Sequence, residues 1–216
     1  TLQQAFPGLA AKPFPVIRHG RDFAPLTTPL VTPLVATPAP ETPLRVLVLG
    51  NIGPAKGAEL LARLLELDTE ARIELHVAGE IGPELRAARA FLHGPYARGD
   101  VMQVVAQVRP HLGAVLSLWP ETYSHTLTEL WACGIPVAGF DRGAVGERLR
   151  ENGAGWLLPD PAPEAVLAAL LAIGADPAGH AARVEAVEAW RQGEGQRWSV
   201  AAMAEAYRAL YAVARA

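Results

Sequence analysis

The chain has 216 residues, half of them hydrophobic, which is ample for one α/β domain with a sizeable core. Its net charge of −3, with no run or stripe of basic residues, excludes a polyanion-binding surface, so no nucleic-acid partner is expected. A single cysteine, Cys133, excludes an internal disulfide and a cysteine-based zinc cluster, and apolar runs such as Ala165 to Ile173 fall well short of the roughly 18 residues a spanning helix needs.

In chain order, Phe14 to Ile17 reads as a short strand, followed by Pro25, Pro29, Pro33, Pro38, Pro40 and Pro43, a density that forbids helix and favours an extended connector. Residues 1–43 are therefore expected to form a junction and linker, and residues 44–216 a domain. From Leu44 strands and helices alternate. Strands are predicted at Leu44 to Leu49, Ile73 to Ala78, Phe91-Leu92, Gly113 to Leu118, Val137 to Phe140 and Trp156 to Leu158. Helices are predicted at Ala58 to Leu67, Pro83 to Ala90, Val101 to Val108, Ser124 to Cys133 and, briefly, Glu147 to Glu151. Alternation of this kind means βα units, hence a doubly wound parallel sheet covered by helices on both faces. The tail is helical over Glu164 to Ile173, Ala178 to Arg191 and Ser199 to Ala214, with Trp190, Trp198, Tyr207 and Tyr211 as packing aromatics. Cys133, set among Leu130, Trp131 and Ala132, reads as a buried, inert thiol.

The most informative stretch is Pro120 to Glu147. A strand that turns directly into a helix leaves unpaired N–H groups and the positive end of the helix dipole beyond the strand's carboxyl end, a setting that binds anions and phosphates above all. Ser124 and Thr126 add hydroxyls there, Glu121 precedes the helix and Glu129 lies within its first turns. The arrangement suits a phosphate flanked by two carboxylates that grip hydroxyls. A second loop, Gly50 to Gly57, follows the first strong strand. Lys56 precedes Gly57 with no Ser or Thr after it, which excludes a P-loop, and the G-x-G-x-x-G spacing of a dinucleotide site is absent. In the third loop, Asp141 to Gly146, Gly143, Ala144 and Gly146 allow close backbone approach to a ligand. Ser124 beside His125 lacks the G-x-S-x-G elbow of a hydrolase, and the six scattered histidines form no i, i+4 metal pair. Two carboxylates also admit glycoside hydrolysis, which requires them to face one another across a sugar; their spacing does not establish that.

These residues resemble a family. Glu121 and Glu129 form the E-x7-E signature of the group 1 retaining glycosyltransferases of GT-B fold. Ala132-Cys133-Gly134-Ile135-Pro136-Val137-Ala138 and then Gly143-Ala144-Val145-Gly146-Glu147 resemble that family's A-x-G-x-P-V-V-A segment and its Gly-rich loop. Gly50 to Gly57 is similar to G-R-x-x-x-x-K-G, with Asn51 at the Arg position, and Val16 to Asp22 to the V-I-P-N-G-V-D segment between the two halves of these enzymes. The resemblance implies a Rossmann-like C-terminal half that binds a nucleoside diphosphate sugar as substrate, with no separate cofactor and no metal. It also implies an acceptor-binding N-terminal half missing from this chain, and in such relatives the last helix crosses back to that half.

Site roles follow from the same resemblance. Glu121 and Lys56 are the implied catalytic residues, Glu121 on the donor sugar's hydroxyls and Lys56 on the leaving diphosphate. Asn51, Gly53, Lys56, Tyr96, Tyr123, Ser124, His125, Thr126 and Glu129 are the implied donor-binding set. Within it Glu129 holds the ribose, Tyr96 lines the base and amides near Ser124 to Thr126 hold phosphate. Ser124 replaces a common Gly, and His125 a common Tyr or aliphatic residue. An Arg clamps an oxyanion at two points and an amide carries no charge, so Asn51 leaves more of the work to Lys56 and the helix amides. The plain alternative for Lys56, Glu121 and Glu129 is a solvated surface position. The function implied is sugar transfer from a nucleotide sugar to a glycan, lipid or other hydroxyl acceptor, as in polysaccharide biosynthesis. The alternatives are a non-catalytic nucleotide-binding or assembly domain and a sugar-nucleotide epimerase. A cytoplasmic setting is expected, with membrane association through the missing half left open; the nucleotide base, the acceptor and the oligomeric state are not specified.

Overall fold

The computed structural model describes residues 6–9, 15–23, 33–86, 88–159, 161–197 and 199–213. They fall into two compact units, one of residues 23–196 and one of residues 1–22 with 197–216. The larger unit contains β1 (Leu44–Leu49), α1 (Ala58–Leu67), β2 (Ile73–Ala78), α2 (Pro83–Arg86), β3 (Phe91–Gly94), α3 (Val101–Val108) and β4 (Leu112–Val115). It continues with α4 (His125–Ala132), β5 (Val137–Phe140), α5 (Gly143–Asn152), β6 (Gly155–Leu158), α6 (Pro163–Gly174) and α7 (Pro177–Gln192). The six strands form one sheet in the order β3-β2-β1-β4-β5-β6, every pair parallel.

Period-two alternation in β1 decides which core each side chain joins. Leu44, Val46 and Val48 pack with Ile73, Leu75 and Val77 beneath α1 and α6. Leu47 and Leu49 point the other way, into a core built from Val101 and Val105 of α3, Leu127 and Trp131 of α4, Val145 of α5 and Val187 and Trp190 of α7. Trp131 and Trp190 stack at a tilt, ring centroids 5.2 Å apart, and Trp131 Nε1 donates to the Ala154 carbonyl at 2.9 Å. Cys133 lies inside this core, and burial pushes its thiol up to about 12, so it has no thiolate at neutral pH.

The helix boundaries are those that local chemistry selects. Pro163 and Pro177 occupy first-turn positions, where a missing N–H costs nothing, and Asp176 caps α7 by accepting from Gly179 N at 2.9 Å. Several elements differ from expectation. Gly113 to Leu118 shortens to β4, whose pairing with β5 ends at Val115. The helix predicted from Pro83 to Ala90 keeps only Pro83–Arg86. The short helix at Glu147 starts earlier, at Gly143, making α5 one of the longer helices beside the site. Pro15 to Ile17 is not a strand, and Phe14 and Trp198 lie outside the described residues. In the smaller unit, α8 (Val200–Val213) meets the Gly20 to Asp22 segment: Gly20 N donates to Met203 Sδ at 3.2 Å and Val200 N to Asp22 Oδ1 at 3.2 Å. Tyr207 and Tyr211 stack on each other on an exposed face of α8 and are not core residues.

At the amino ends of the strands, His111 joins β1 to β4. Its Nδ1 accepts from Arg45 N at 2.8 Å, its own N–H donates to the Arg45 carbonyl at 2.9 Å, and its carbonyl accepts from His180 Nε2 at 2.7 Å. Burial, then the Arg45 guanidinium and His180, outweigh Glu74 and lower His111 to about 4. The neutral ring is what the fold binds. Between pH 6.5 and about 4 the unfolded chain takes up the proton that the folded chain refuses, so stability falls as pH drops through that window. The loss reaches about 3 kcal/mol at most. Urea midpoints measured from roughly pH 7 down to pH 4.5 should fall less steeply in His111→Asn, which keeps an acceptor and does not titrate; parallel slopes would refute this.

Candidate functional site

After β3 the chain returns to lay β4 beside β1, so the loops after β1 and β4 lead to opposite sides, and the place beyond their carboxyl ends is the switch point, the crevice where sheets of this kind take their ligands. The Gly50 to Gly57 loop leaves β1 there. Gly50 (φ 104°) starts it and Gly57 (φ 84°) ends it as the residue before α1. A Cβ on Gly57 would sit 2.8 Å from the Leu116 carbonyl oxygen, so only glycine lets this loop lie against the end of β4. Leu118 N donates to the Ala55 carbonyl at 2.9 Å, tying the two loops together.

This packing brings Lys56 to Glu121. Lys56 Nζ lies 2.7 Å from Glu121 Oε1, and Ser117 Oγ donates to the same oxygen. Burial pushes Glu121 up, but the bonds from Lys56, Ser117 and Ser124 and the Lys56 charge outweigh it and hold the carboxyl below its ordinary value. Glu121 is therefore ionised at neutral pH. Its backbone is fixed from the far side: Ala144 N donates to the Glu121 carbonyl at 2.8 Å, and a Cβ on Gly143 (φ 50°) would lie 2.5 Å from that oxygen and 2.8 Å from Glu121 N. The small residues of the third loop thus serve Glu121. Gly146 serves its own turn, where a Cβ would strike Asp141. Glu147 is exposed on α5, and the buried residue is its neighbour Arg148.

The second carboxylate, Glu129 of α4, is 3% exposed and accepts from the Tyr96 hydroxyl at 3.0 Å. Neither carboxylate sits on a solvated helix face. Ser124, directly before α4, holds a left-handed backbone (φ 66°), a conformation that glycine adopts without strain. Its hydroxyl lies 3.5 Å from that of Thr126, and a Cβ on Gly50 would meet Thr126 Cγ2 at 3.2 Å, so α4 begins against the end of β1. His125 packs edge-on against Tyr123, ring centroids 4.7 Å apart.

Of the residues expected at the site, Lys56, Glu121, Ser124 and Thr126 gather around the crevice, and Tyr96 joins Glu129. Asn51 stands at the lip, its Nδ2 3.5 Å from Glu80 Oε2. Gly53 has ordinary backbone angles and its carbonyl accepts from Lys56 N and Ala58 N, with open space where a side chain would stand. Tyr123 turns its ring onto the Arg148 guanidinium. Two residues were not anticipated. Ser117 carried a signal, a hydroxyl at a strand end four residues before a carboxylate; Arg148 carried none, since its burial depends on how α5 packs.

A profile for the family described as Glycosyl transferases group 1 matches residues 43–176. No curated protein matches the chain. Among solved structures, Anabaena Alr3699/HepE in complex with UDP is 16% identical with a TM-score of 0.63, covering 80% of this chain and 49% of that one. Sucrose-phosphate synthase from Thermosynechococcus elongatus is 20% identical with a TM-score of 0.68, covering 92% and 53%. The C-terminal domain of a glycosyl transferase group 1 family protein (LpcC) from Francisella tularensis is 15% identical with a TM-score of 0.56, covering 71% and 88%. At these identities the likeness is one of fold, and the chain spans about half the length of the first two structures.

Proposed function

The chain belongs to the group 1 glycosyl transferases, and from that premise we propose that its crevice binds a nucleoside diphosphate sugar as the donor half of a retaining, metal-independent transferase. The observation that carries this reading is the meeting of Lys56 and Glu121 beside the start of α4. A cation, a hydroxyl-gripping carboxylate and a helix N-terminus converge where a diphosphate and its sugar would join.

In this reading Lys56 exchanges its bond to Glu121 for one to the diphosphate, and Glu121, released, accepts hydroxyls of the donor sugar. As the glycosidic bond breaks, negative charge grows on the leaving diphosphate; Lys56 and the amides at the start of α4 are already in place to stabilise it, with no metal required. Glu129 accepts ribose hydroxyls and Tyr96 stays beside it as a wall for the base. The acceptor, a hydroxyl on a glycan, lipid or other molecule, is bound by a further half of the enzyme. Asn51 in place of the family's Arg favours a second reading, nucleotide binding without transfer. Donor turnover by the protein together with that half, with and without acceptor, separates the two.

UDP is the first ligand to test, since the HepE structures hold UDP and UDP-glucose. At about 100 times its dissociation constant a ligand adds about 2.7 kcal/mol, here an upward Tm shift of roughly 5–10 °C. GDP, ADP and TDP should shift it less, and Glu129→Ala should abolish the UDP shift. A folded protein that none of the four stabilises would sink the donor reading.

A further inference from the structure

The guanidinium of Arg148 on α5 is 1% exposed, yet it lies directly behind the start of α4. Its Nη1 donates to the Tyr123 carbonyl at 3.0 Å and to the Ser124 carbonyl at 3.2 Å, and its Nη2 to Thr128 Oγ1 at 2.8 Å. Its central carbon stands 5.3 Å from the centre of the Tyr123 ring and 5.0 Å from that of Trp131. A planar cation stacked on two aromatic faces and bonded at three oxygens has no freedom of position.

Two successive carbonyls drawn inward have a geometric consequence. In a trans peptide the N–H points opposite to the C=O, and no peptide bond here is cis. The peptide linking Tyr123 to Ser124 therefore turns the Ser124 N–H away from Arg148, and the next peptide does the same with the His125 N–H. Successive N–H groups aimed to one side across a left-handed residue make an anion-binding nest. In this nest Ser124 stands at φ 66°, an angle that costs a serine energy and persists only where its surroundings impose it. Arg148 supplies that constraint, through both carbonyls flanking the residue.

We propose that Arg148 is a positioning residue for the donor's diphosphate: it holds Ser124 in the left-handed conformation from within and so turns the Ser124 and His125 amides outward. A cation that never meets the ligand thereby shapes the surface that does. In a relative with glycine at the Ser124 position the same backbone needs no such hold. The inference rests on the donor-binding reading above, but its structural part does not.

The test compares wild type, Arg148→Met and the double variant Arg148→Met/Ser124→Gly, by calorimetric titration with UDP and with uridine and by amide hydrogen exchange of peptides spanning residues 123–126. Loss of the constraint releases strain of the order of one factor of ten, so Arg148→Met should weaken UDP binding by about tenfold or more while uridine affinity holds. Exchange over 123–126 should accelerate, and Ser124→Gly in the same chain should restore much of the UDP affinity. Equal loss of UDP and uridine, unchanged UDP affinity, or unchanged exchange would each overturn the proposal. If Arg148→Met does not fold, Arg148→Lys carries the same measurements, because a single ammonium nitrogen lacks the planar fork that reaches both carbonyls from one nitrogen and Thr128 from the other while lying on two rings. Failure of wild type to bind UDP would strike the donor reading instead, and the exchange comparison would still decide whether Arg148 orders the loop.

Discussion

Gly143→Ala is expected to destabilise the protein by about 2–4 kcal/mol, lowering Tm by roughly 5–15 °C, and to impair donor binding beyond what that loss alone explains. Two costs add. The backbone at Gly143 is left-handed, at φ 50°, and the new methyl would be 2.5 Å from the Glu121 carbonyl oxygen and 2.8 Å from its nitrogen. Both are main-chain atoms, so neither can swing aside. The relief available is a shift of the Glu121 backbone, which also breaks the bond from Ala144 N and carries the carboxylate away from Lys56. Gly53→Ala is the control, because no atom lies within 4 Å of its added methyl and its φ of −100° suits any residue. It should be neutral or slightly stabilising, by about 0.4–1 kcal/mol. Thermal melts of the two variants in which Gly53→Ala loses as much as Gly143→Ala would refute this account of the loop.

Lys56→Met should weaken binding of a nucleoside diphosphate by about 10- to 100-fold, the value of a charge-assisted bond to phosphate. Its effect on stability is smaller. Lys56 is 35% exposed, so water screens part of the ion pair, and a loss of about 1 kcal/mol is expected. The sharper signature lies in pH dependence. In wild type the folded chain holds Glu121 below its ordinary value, so the pair contributes stability above the unfolded chain's carboxyl pKa and loses it as pH falls through the folded one. Without Lys56, burial acts against Ser117 and Ser124 alone, and the carboxyl titrates at higher pH than in wild type. A cycle of Lys56→Met, Glu121→Gln and the double variant, melted from neutral to acid pH, should show coupling that fades toward acid. Coupling that is absent at neutral pH would mean the pair does not exist in solution.

The parallel sheet was legible because β1 and β2 are short runs rich in Leu, Ile and Val with no competing helical period, and because glycine or proline marks the turns between the alternating elements that follow. Lys56, Glu121 and Glu129 were picked out for a different reason: they match the family's loop and E-x7-E signature, and the fold sets them near strand ends and helix starts. What escaped was everything decided by contact between distant segments. Gly143 looked like an opening for a ligand, whereas its missing side chain makes room for the Glu121 main chain. Tyr207 and Tyr211 have the helical spacing of core residues, yet their face of α8 is exposed. Arg148, one of a run of charges from Glu147 to Glu151, reads as solvated until α5 is seen to bury that one position against Tyr123 and Trp131. Asp68 is similar: it lies beneath Arg89 and accepts from Arg72 N and Ile73 N, a turn lock that no local pattern announced.

The bond between Lys56 and Glu121 spans 65 positions in the chain, and that between Tyr96 and Glu129 spans 33. Both pairs join segments far apart in the chain, so they belong to the non-local part of folding, and Lys56 meets Glu121 only where the loops after β1 and β4 come together. A chain that has made only its first βαβ units has the lysine and no carboxylate to meet it. Ligand binding is thus a reporter of completed folding: a nucleotide added during refolding should leave the rate of the early steps unchanged and act on unfolding, slowing it as the occupied crevice clamps the two halves of the sheet together.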